Sequence, residues 1–146
     1  MRGLSASGKS TYAKDLVASE GFARVNMDDI RTMLALRYTQ KNDALALEVQ
    51  KRAVLAALAA GFDVVVDNLH LHVRWPRELA TAIEDAGLGD DVRYELVDLT
   101  SVSVDECIER NAGRDGPITA AIIRRQAAQL DHLQGAGLWT LDDLAG

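Results

Sequence analysis

The feature that most constrains the fold is a phosphate-binding pattern at the N-terminus, where residues 3–11 read G-L-S-A-S-G-K-S-T. Its two glycines adopt backbone angles closed to other residues, so that successive amide N–H groups converge on an anion. Lys9 adds a point charge for the β- and γ-phosphates, and Ser10 offers a hydroxyl to Mg²⁺. A helical pattern follows, which argues against a merely flexible Gly/Ser-rich terminus. The residues expected to contact nucleotide are Gly3, Ser5, Ala6, Ser7, Gly8, Lys9, Ser10 and Thr11.

The strand that normally leads into such a loop is not evident, because only Met1 and Arg2 precede Gly3. The chain is trimmed, its start site is misplaced, or another segment closes the sheet. Helices are predicted over 9–19, 28–38, 43–60, 76–87, from 103 and over 119–133, and strands over 22–26, 64–66 and 92–99. This alternation predicts a three-layer α/β fold, a parallel sheet with helices on both faces and a missing or truncated first strand.

The bulk properties predict one globular domain over 1–146, because 48% hydrophobic residues supply a sizeable core. The net charge of -6 and the pI of about 5.0 argue against a surface devoted to nucleic acid. The single cysteine, Cys107, excludes a disulfide framework and is expected to be a small buried residue. With no membrane-length apolar run and no signal-peptide pattern, we expect a reducing, cytoplasmic setting and no membrane partner.

Two charged residues follow the strand predicted over 22–26. Asp28 and Arg31 lie where ligands bind in open α/β sheets, at the carboxyl end of a strand. The carboxylate can accept a proton from an attacking hydroxyl, and Arg31, one helical turn on, can hold a phosphate of the acceptor. The alternative is an i, i+3 ion pair with acids that complement the helix dipole. The neighbouring phosphate loop favours the first interpretation.

A third candidate site follows the buried run 64–66. Asp67 comes directly after this run, which matches the way a strand-end carboxylate holds Mg²⁺ or its water shell. The pattern is weak, since many strands end in Asp. Asn68 follows on the same loop and is a candidate contact to substrate. His70 and His72 are expected to lie on the loop without a metal role, because no third ligand of matching type is near.

Arg110 and Arg114 form a fourth candidate site at a helix end, before a turn at 115–117. Two arginines on a mobile segment can close over ATP and neutralise charge on the transferred phosphoryl group. We therefore predict an arginine-rich lid over about 107–120. The alternative is a basic last turn that pairs with the helix dipole.

Arg74 is a further candidate for substrate binding. It precedes Trp75, whose ring offers a stacking surface for a base, so the pair predicts a modest nucleic-acid contact. Trp75 is equally suited to a core or to an interface.

In order and spacing these motifs resemble the kinase domain of bacteriophage polynucleotide 5′-kinase and its relatives among small P-loop kinases. The resemblance covers residues 3 to about 133. The phosphate loop is common to many families, whereas the cluster of Asp28, Asp29 and Arg31 and the arginine-rich lid narrow the choice of family. The motifs that carry it are residues 3–11, 26–31, 64–68 and Arg110-x-x-x-Arg114-x-x-Pro117.

For the phosphate donor, the resemblance implies that Lys9 and Ser10 bind the phosphates of ATP and Mg²⁺. It implies that Arg114, with Arg110, stabilises the transition state from the lid. Lys9 and Arg114 are therefore candidate catalytic residues. The known members of the family form oligomers, so a homo-oligomer is among the expectations.

For the acceptor, the resemblance implies that Asp28 is the general base on a 5′-hydroxyl and that Arg31 grips the neighbouring phosphate. Asp67 is expected to support metal and water or the acceptor site. The reaction expected is transfer of the γ-phosphate of ATP to the 5′-hydroxyl end of a polynucleotide. Two alternatives stay open: a kinase for a small molecule (a nucleoside, sugar nucleotide or antibiotic), which the acidic charge favours, and a nucleotide-binding regulatory module with weak ATPase activity.

Overall fold

A computed structural model describes residues 1–114, 116 and 118–144. Asp115 and Pro117, from the turn predicted in the lid, lie outside these residues. None of the helices described is long and apolar enough to cross a membrane. The elements in chain order are α1 (Lys9–Glu20), β1 (Ala23–Val25), α2 (Met27–Met33), α3 (Gln40–Ala59), β2 (Val64–Val66), α4 (Arg74–Asp85), α5 (Val104–Ala112) and α6 (Ala120–Ala136), with short 3-10 turns at Gly89–Asp91 and Leu141–Leu144.

The chain divides into two compact units. The first contains Met1–Lys9, Leu69–Arg77 and Tyr94–Gly146, and the second contains Ser10–Asn68 and Glu78–Arg93. The expectation of one domain over 1–146 stays a prediction.

A parallel pair of strands forms the centre of the second unit. Strand β1 pairs with β2 in the register Ala23↔Val64 to Val25↔Val66. Val65 is buried, as its continuous apolar run predicts. Helix α3, which lies between the strands in sequence, packs against both. The predicted α/β class with a parallel sheet is confirmed, although only these two strands are found among the described residues.

Helix α2 is shorter than its sequence pattern predicts. It starts at a side-chain cap, where Asn26 accepts hydrogen bonds from the backbone N–H groups of Asp28 and Asp29. The predicted helix over 28–38 is wrong at its C-terminal end, because the helix ends at Met33. Ala35 has a φ of 51°, which turns the chain out of the helix. No glycine or proline marks this end in the sequence.

In the first unit, the residues before the phosphate loop form an isolated β-bridge rather than a strand. Arg2 makes an isolated parallel bridge to Asp98. The Arg2 N–H donates to the Val97 carbonyl, and the Leu99 N–H donates to the Arg2 carbonyl, both at 2.8 Å. The strand predicted over 92–99 is therefore wrong as a full strand and survives as this bridge. Ahead of the loop, this parallel bridge is the contribution that the structure shows to a sheet.

Arg2 also anchors this segment through its side chain, which is 6% exposed. Its guanidinium donates to Asp98 Oδ2 at 2.5 Å and to the Trp139 carbonyl at 2.6 Å. It also lies over the Trp139 ring, 5.2 Å from the centroid. The Trp139 indole N–H donates to the His70 carbonyl at 2.9 Å. An ion pair, a carbonyl and a ring face thus offset the burial of this charge, while Arg2 Nε makes no hydrogen bond to the described residues.

The apolar core of the first unit lies between the phosphate loop and the last two helices. Helix α5 packs against α6. Cys107 is fully buried, as predicted, and burial raises the pKa of its thiol. The buried members of this core are Leu4, Leu71, Cys107, Ile123, Ala127 and Leu130.

The Arg2–Asp98 pair predicts a pH-dependent contribution to stability. Burial alone would raise the pKa of Asp98, but hydrogen bonds from Arg2 and Thr100 outweigh it and lower the pKa. Asp98→Asn is expected to lower the free energy of unfolding by about 1 kcal/mol at pH 7, a small value because solvent screens a half-exposed carboxylate. Since the folded pKa is the lower one, this contribution is present above about pH 3.9 and is lost as the pH falls through the folded value.

Urea denaturation of both proteins between pH 7 and pH 3 measures the difference. The exposed Glu109→Gln change in the same unit is the control, with no expected effect. A difference that stays constant down to pH 3 would contradict the account.

Candidate active site

The predicted phosphate loop has the backbone conformation that its glycines suggest. Gly3, Ala6 and Gly8 all have positive φ, at 152°, 63° and 105°. The Ser7 N–H donates to the Leu4 carbonyl at 3.2 Å, which closes a turn inside the loop. Alternating backbone handedness of this kind turns successive N–H groups toward one concave side, where an anion can bind.

Lys9 lies across this loop. Its side chain is buried, and its Nζ donates to the carbonyls of Gly3 at 3.0 Å and Leu4 at 2.5 Å. These contacts hold the ammonium group beside the loop backbone. Ser10 and Thr11 follow in the first turn of α1, where a helix has free N–H groups. The loop therefore has the parts of a phosphate site already in place.

Two helices of the first unit contact the loop through polar side chains. Arg110 of α5 donates from Nη1 to the Ser7 carbonyl at 3.2 Å and from Nη2 to Glu106 at 2.5 Å. Gln126 of α6 accepts a hydrogen bond from the Ser5 N–H at 2.9 Å. Of the two predicted lid arginines, Arg110 thus lies on the loop, whereas Arg114 is exposed just beyond the end of α5.

The candidate acceptor residues form a charged cluster in the second unit. Arg31 Nη1 donates to Asp28 Oδ1 at 2.7 Å, and Arg31 also donates from Nε and Nη2 to Asp43 Oδ1 at 3.1 and 2.9 Å. The Arg31 side chain is 15% exposed, whereas that of Asp28 is 63% exposed. The i, i+3 ion pair, which was the alternative interpretation of these residues, is therefore present. Its carboxylate faces solvent, where a substrate can reach it.

Tyr38, in the segment between α2 and α3, completes this cluster. The Arg31 guanidinium lies over its ring, 4.9 Å from the centroid. Its hydroxyl donates to Asp28 Oδ1 at 3.2 Å. Burial, followed by the negative charge of Asp28, raises the pKa of the Tyr38 phenol, so the hydroxyl stays protonated at neutral pH.

A network of side-chain amides holds α2 at the ends of the two strands. Asn26 caps α2 and donates from Nδ2 to the Asp67 carbonyl at 2.5 Å. Asn68 accepts from the Met27 N–H at 3.0 Å and donates to Gln50 Oε1 at 2.6 Å. Asn68, predicted to contact substrate, thus also links β2, α2 and α3. These contacts fix the first turn of α2, which carries Asp28.

Asp67 does not have the surroundings of a metal ligand. It is 1% exposed, and its Oδ2 accepts two N–H groups of Arg24, at 2.9 and 2.6 Å. Arg24 also pairs with Asp29. Burial alone would lower the pKa of Arg24, but hydrogen bonds and charges of these two carboxylates raise it. A guanidinium already supplies the positive charge that Mg²⁺ would bring, which favours a structural role for Asp67.

Ser10, one of the two predicted Mg²⁺ ligands, lies in the first turn of α1, and the metal roles of Ser10 and Asp67 stay predictions. In the part of the chain that the structure describes, no group of three or more His, Cys, Asp or Glu side chains could hold a metal ion.

The remaining predicted contact, Arg74, lies at the start of α4. Its guanidinium stacks on the Trp75 ring, 4.6 Å from the centroid. Trp75 is 37% exposed. The predicted stacking surface is therefore partly covered by its own neighbour.

The residues that sequence reasoning missed are polar partners from distant parts of the chain. The sequence marks Asp43 only as an acidic residue in the first turn of a predicted helix. Tyr38 was assigned to a helix that ends before it. Nothing distinguishes Arg24 or Gln126 from ordinary surface residues in the sequence, because their roles depend on which elements pair.

Comparison with known proteins agrees with this geometry. The model of a family described as "AAA domain" matches residues 1–134. A protein of Autographa californica nuclear polyhedrosis virus, provisionally named a bifunctional polynucleotide kinase/RNA ligase, is 30% identical over 145 aligned residues. The match covers 85% of this chain and 19% of the viral protein. The resemblance to polynucleotide kinases predicted from the motifs is confirmed.

The fold has a counterpart among solved structures. The crystal structure of a gluconokinase from Sinorhizobium meliloti 1021 matches with a TM-score of 0.54 and 16% sequence identity. The match covers 92% of this chain and 74% of the gluconokinase. At this identity the likeness concerns the fold, and the predicted P-loop kinase fold is confirmed.

The phosphate loop predicts that Gly3 cannot be replaced. A Cβ at Gly3 would lie 2.8 Å from Ser7 Oγ and 3.1 Å from both Leu99 Cβ and the Leu99 carbonyl, at a φ that side chains rarely adopt. Gly3→Ala should therefore distort the loop and weaken binding of a fluorescent ATP analogue about tenfold or more. Gly135→Ala is the matched control, because nothing lies within 4 Å of its Cβ position. Wild-type affinity in Gly3→Ala would refute the assignment of the loop.

Proposed function

The chain belongs to the AAA domain family, and we propose that it acts as an ATP-dependent kinase that transfers the γ-phosphate to the 5′-hydroxyl end of a polynucleotide. The observation that carries this proposal is the Asp28–Arg31 pair, an exposed carboxylate beside an arginine, in a chain with a formed phosphate loop. The relationship to the viral protein supports the choice of acceptor.

On the donor side, the loop N–H groups and Lys9 would bind the phosphates of ATP. The Lys9 ammonium would exchange its carbonyl partners in the loop for phosphate oxygens. Arg110, already against the loop, would neutralise charge on the same phosphates. Ser10 would help to hold Mg²⁺ together with the phosphates of ATP, and the cation would contribute positive charge to that part of the site.

On the acceptor side, Asp28 would accept the proton of the 5′-hydroxyl as that oxygen bonds to the γ-phosphorus. The bond from the γ-phosphorus to the β–γ bridging oxygen breaks, and ADP leaves with its electron pair. Arg31 has N–H groups left over from its three hydrogen bonds to carboxylates, and these suit the acceptor's neighbouring phosphate. Positioning and electrostatics would supply most of the rate.

Within the proposal, residues 1–146 act as one kinase domain with a lid over about 107–120, in the cytoplasm. Asn68 and Arg74 would contact the acceptor beyond its reactive end. Asp67 would support the acceptor site by holding Arg24 rather than by binding metal.

A small-molecule acceptor is the second candidate, and charge favours it. The cluster around Asp28 and the ends of β1 and β2 contains four carboxylates, those of Asp28, Asp29, Asp43 and Asp67, against the guanidinium groups of Arg24 and Arg31. A net negative site repels a polyphosphate chain and suits an acceptor rich in hydroxyl groups.

Labelled ATP separates these candidates. With γ-labelled ATP and a 5′-hydroxyl oligonucleotide, the wild-type chain should yield a labelled oligonucleotide. Asp28→Asn should lower kcat about a hundredfold to ten-thousandfold, because it removes the general base, and leave ATP binding intact. Asp63→Asn, at an exposed acid of the same unit outside this cluster, is the matched control and should keep most activity. Label on a small-molecule panel but not on oligonucleotides would replace the first candidate by the second.

The lid is tested by Arg114→Ala. If this arginine stabilises the transition state, its loss should lower kcat about a hundredfold with little change in ATP affinity. Arg125→Ala, on the exposed face of α6, is the control. An unchanged kcat would remove Arg114 from the lid.

A further inference from the structure

Tyr38 is an exposed aromatic residue whose two polar contacts both go to the acceptor pair. It is 59% exposed, so packing alone gives little reason for its position. Its ring lies against the Arg31 guanidinium and its hydroxyl bonds to Asp28. Both partners lie on α2, whereas Tyr38 lies beyond the end of that helix.

We propose that Tyr38 is a positioning residue of the acceptor site, which orients Asp28 and Arg31 for the acceptor hydroxyl. This inference rests on the proposed function. The ring covers one face of the guanidinium, while Asp43 holds its edge with two hydrogen bonds to one oxygen. Arg31 is thus fixed from two sides, and its Nη1 is directed to Asp28.

The consequence for Asp28 is a difference between its two oxygens. Oδ1 receives both donors, Arg31 Nη1 at 2.7 Å and the Tyr38 hydroxyl at 3.2 Å. Within the described part of the chain, Oδ2 receives no hydrogen bond. Two donors on one oxygen restrict rotation of the carboxylate and leave Oδ2 to accept the proton of the acceptor hydroxyl.

Two substitutions separate the hydroxyl from the ring. Tyr38→Phe keeps the ring on Arg31 and removes only the bond to Asp28, so kcat should fall roughly threefold to tenfold with KM for the acceptor nearly unchanged. Tyr38→Leu also uncovers Arg31, so KM for the acceptor should rise as well. KM for ATP should stay constant in both. Phe62→Leu is the control, because Phe62 is a comparably exposed aromatic residue of the same unit outside the cluster.

A second measurement needs no activity. The charge and hydrogen bond of Asp28 contribute to the raised pKa of the Tyr38 phenol. Asp28→Asn should therefore lower that pKa, as read from the ultraviolet titration of each protein minus that of its Tyr38→Phe counterpart. An unchanged pKa would show that the contact does not exist in solution and would overturn the proposal.

The outcomes separate this inference from the proposed function. If the wild-type chain labels no acceptor, the proposed function fails, and the phenol titration still decides the contact. If it labels an acceptor and Tyr38→Phe has wild-type kcat and KM, Tyr38 is not a positioning residue. A kcat loss that comes with a lower Tm, or that Phe62→Leu reproduces, points to a structural effect and also overturns the proposal.

Discussion

The buried ion pair between Asp67 and Arg24 is the interaction on which the second unit depends. A carboxylate this deeply buried is unfavourable unless charged hydrogen bonds replace water. Arg24, in the middle of β1, supplies two of them to the end of β2. The same guanidinium reaches Asp29 in the first turn of α2. One arginine therefore joins both strand ends to the helix that carries the candidate base.

The amide side chains of Asn26 and Asn68 add directional hydrogen bonds to this ion-pair network. Asn26 and Asn68 occupy the backbone groups at the start of α2, so its first turn has little freedom to move. Asp28 is therefore exposed and still has a defined position. The hydrogen bonds of Asn26 and Asn68 hold the backbone of its helical turn, and Arg31 holds its carboxylate. A rigid support beneath an accessible group is what a proton-accepting residue needs.

The sequence was most informative where chemistry depends on neighbouring residues. The phosphate loop and the strand at 64–66 were predicted, because turn glycines and continuous apolar runs act over a few residues. The end of α2 was missed, since Ala35 turns the chain without a glycine or proline. The partners of Asp67 and Arg31 were missed because they depend on strand pairing and helix packing. The roles of Asp28, Arg31 and Arg114 stay predictions.

In the proposed mechanism, the Asp28 cluster directs the γ-phosphate to an acceptor hydroxyl rather than to water. The most direct test is the partition of labelled phosphate in a single turnover, measured as oligonucleotide-bound label against inorganic phosphate. We expect most of the label on the 5′-hydroxyl oligonucleotide when it is present in excess, and none on a 5′-phosphorylated oligonucleotide. Release of all the label as inorganic phosphate, at a rate that no acceptor changes, would contradict it.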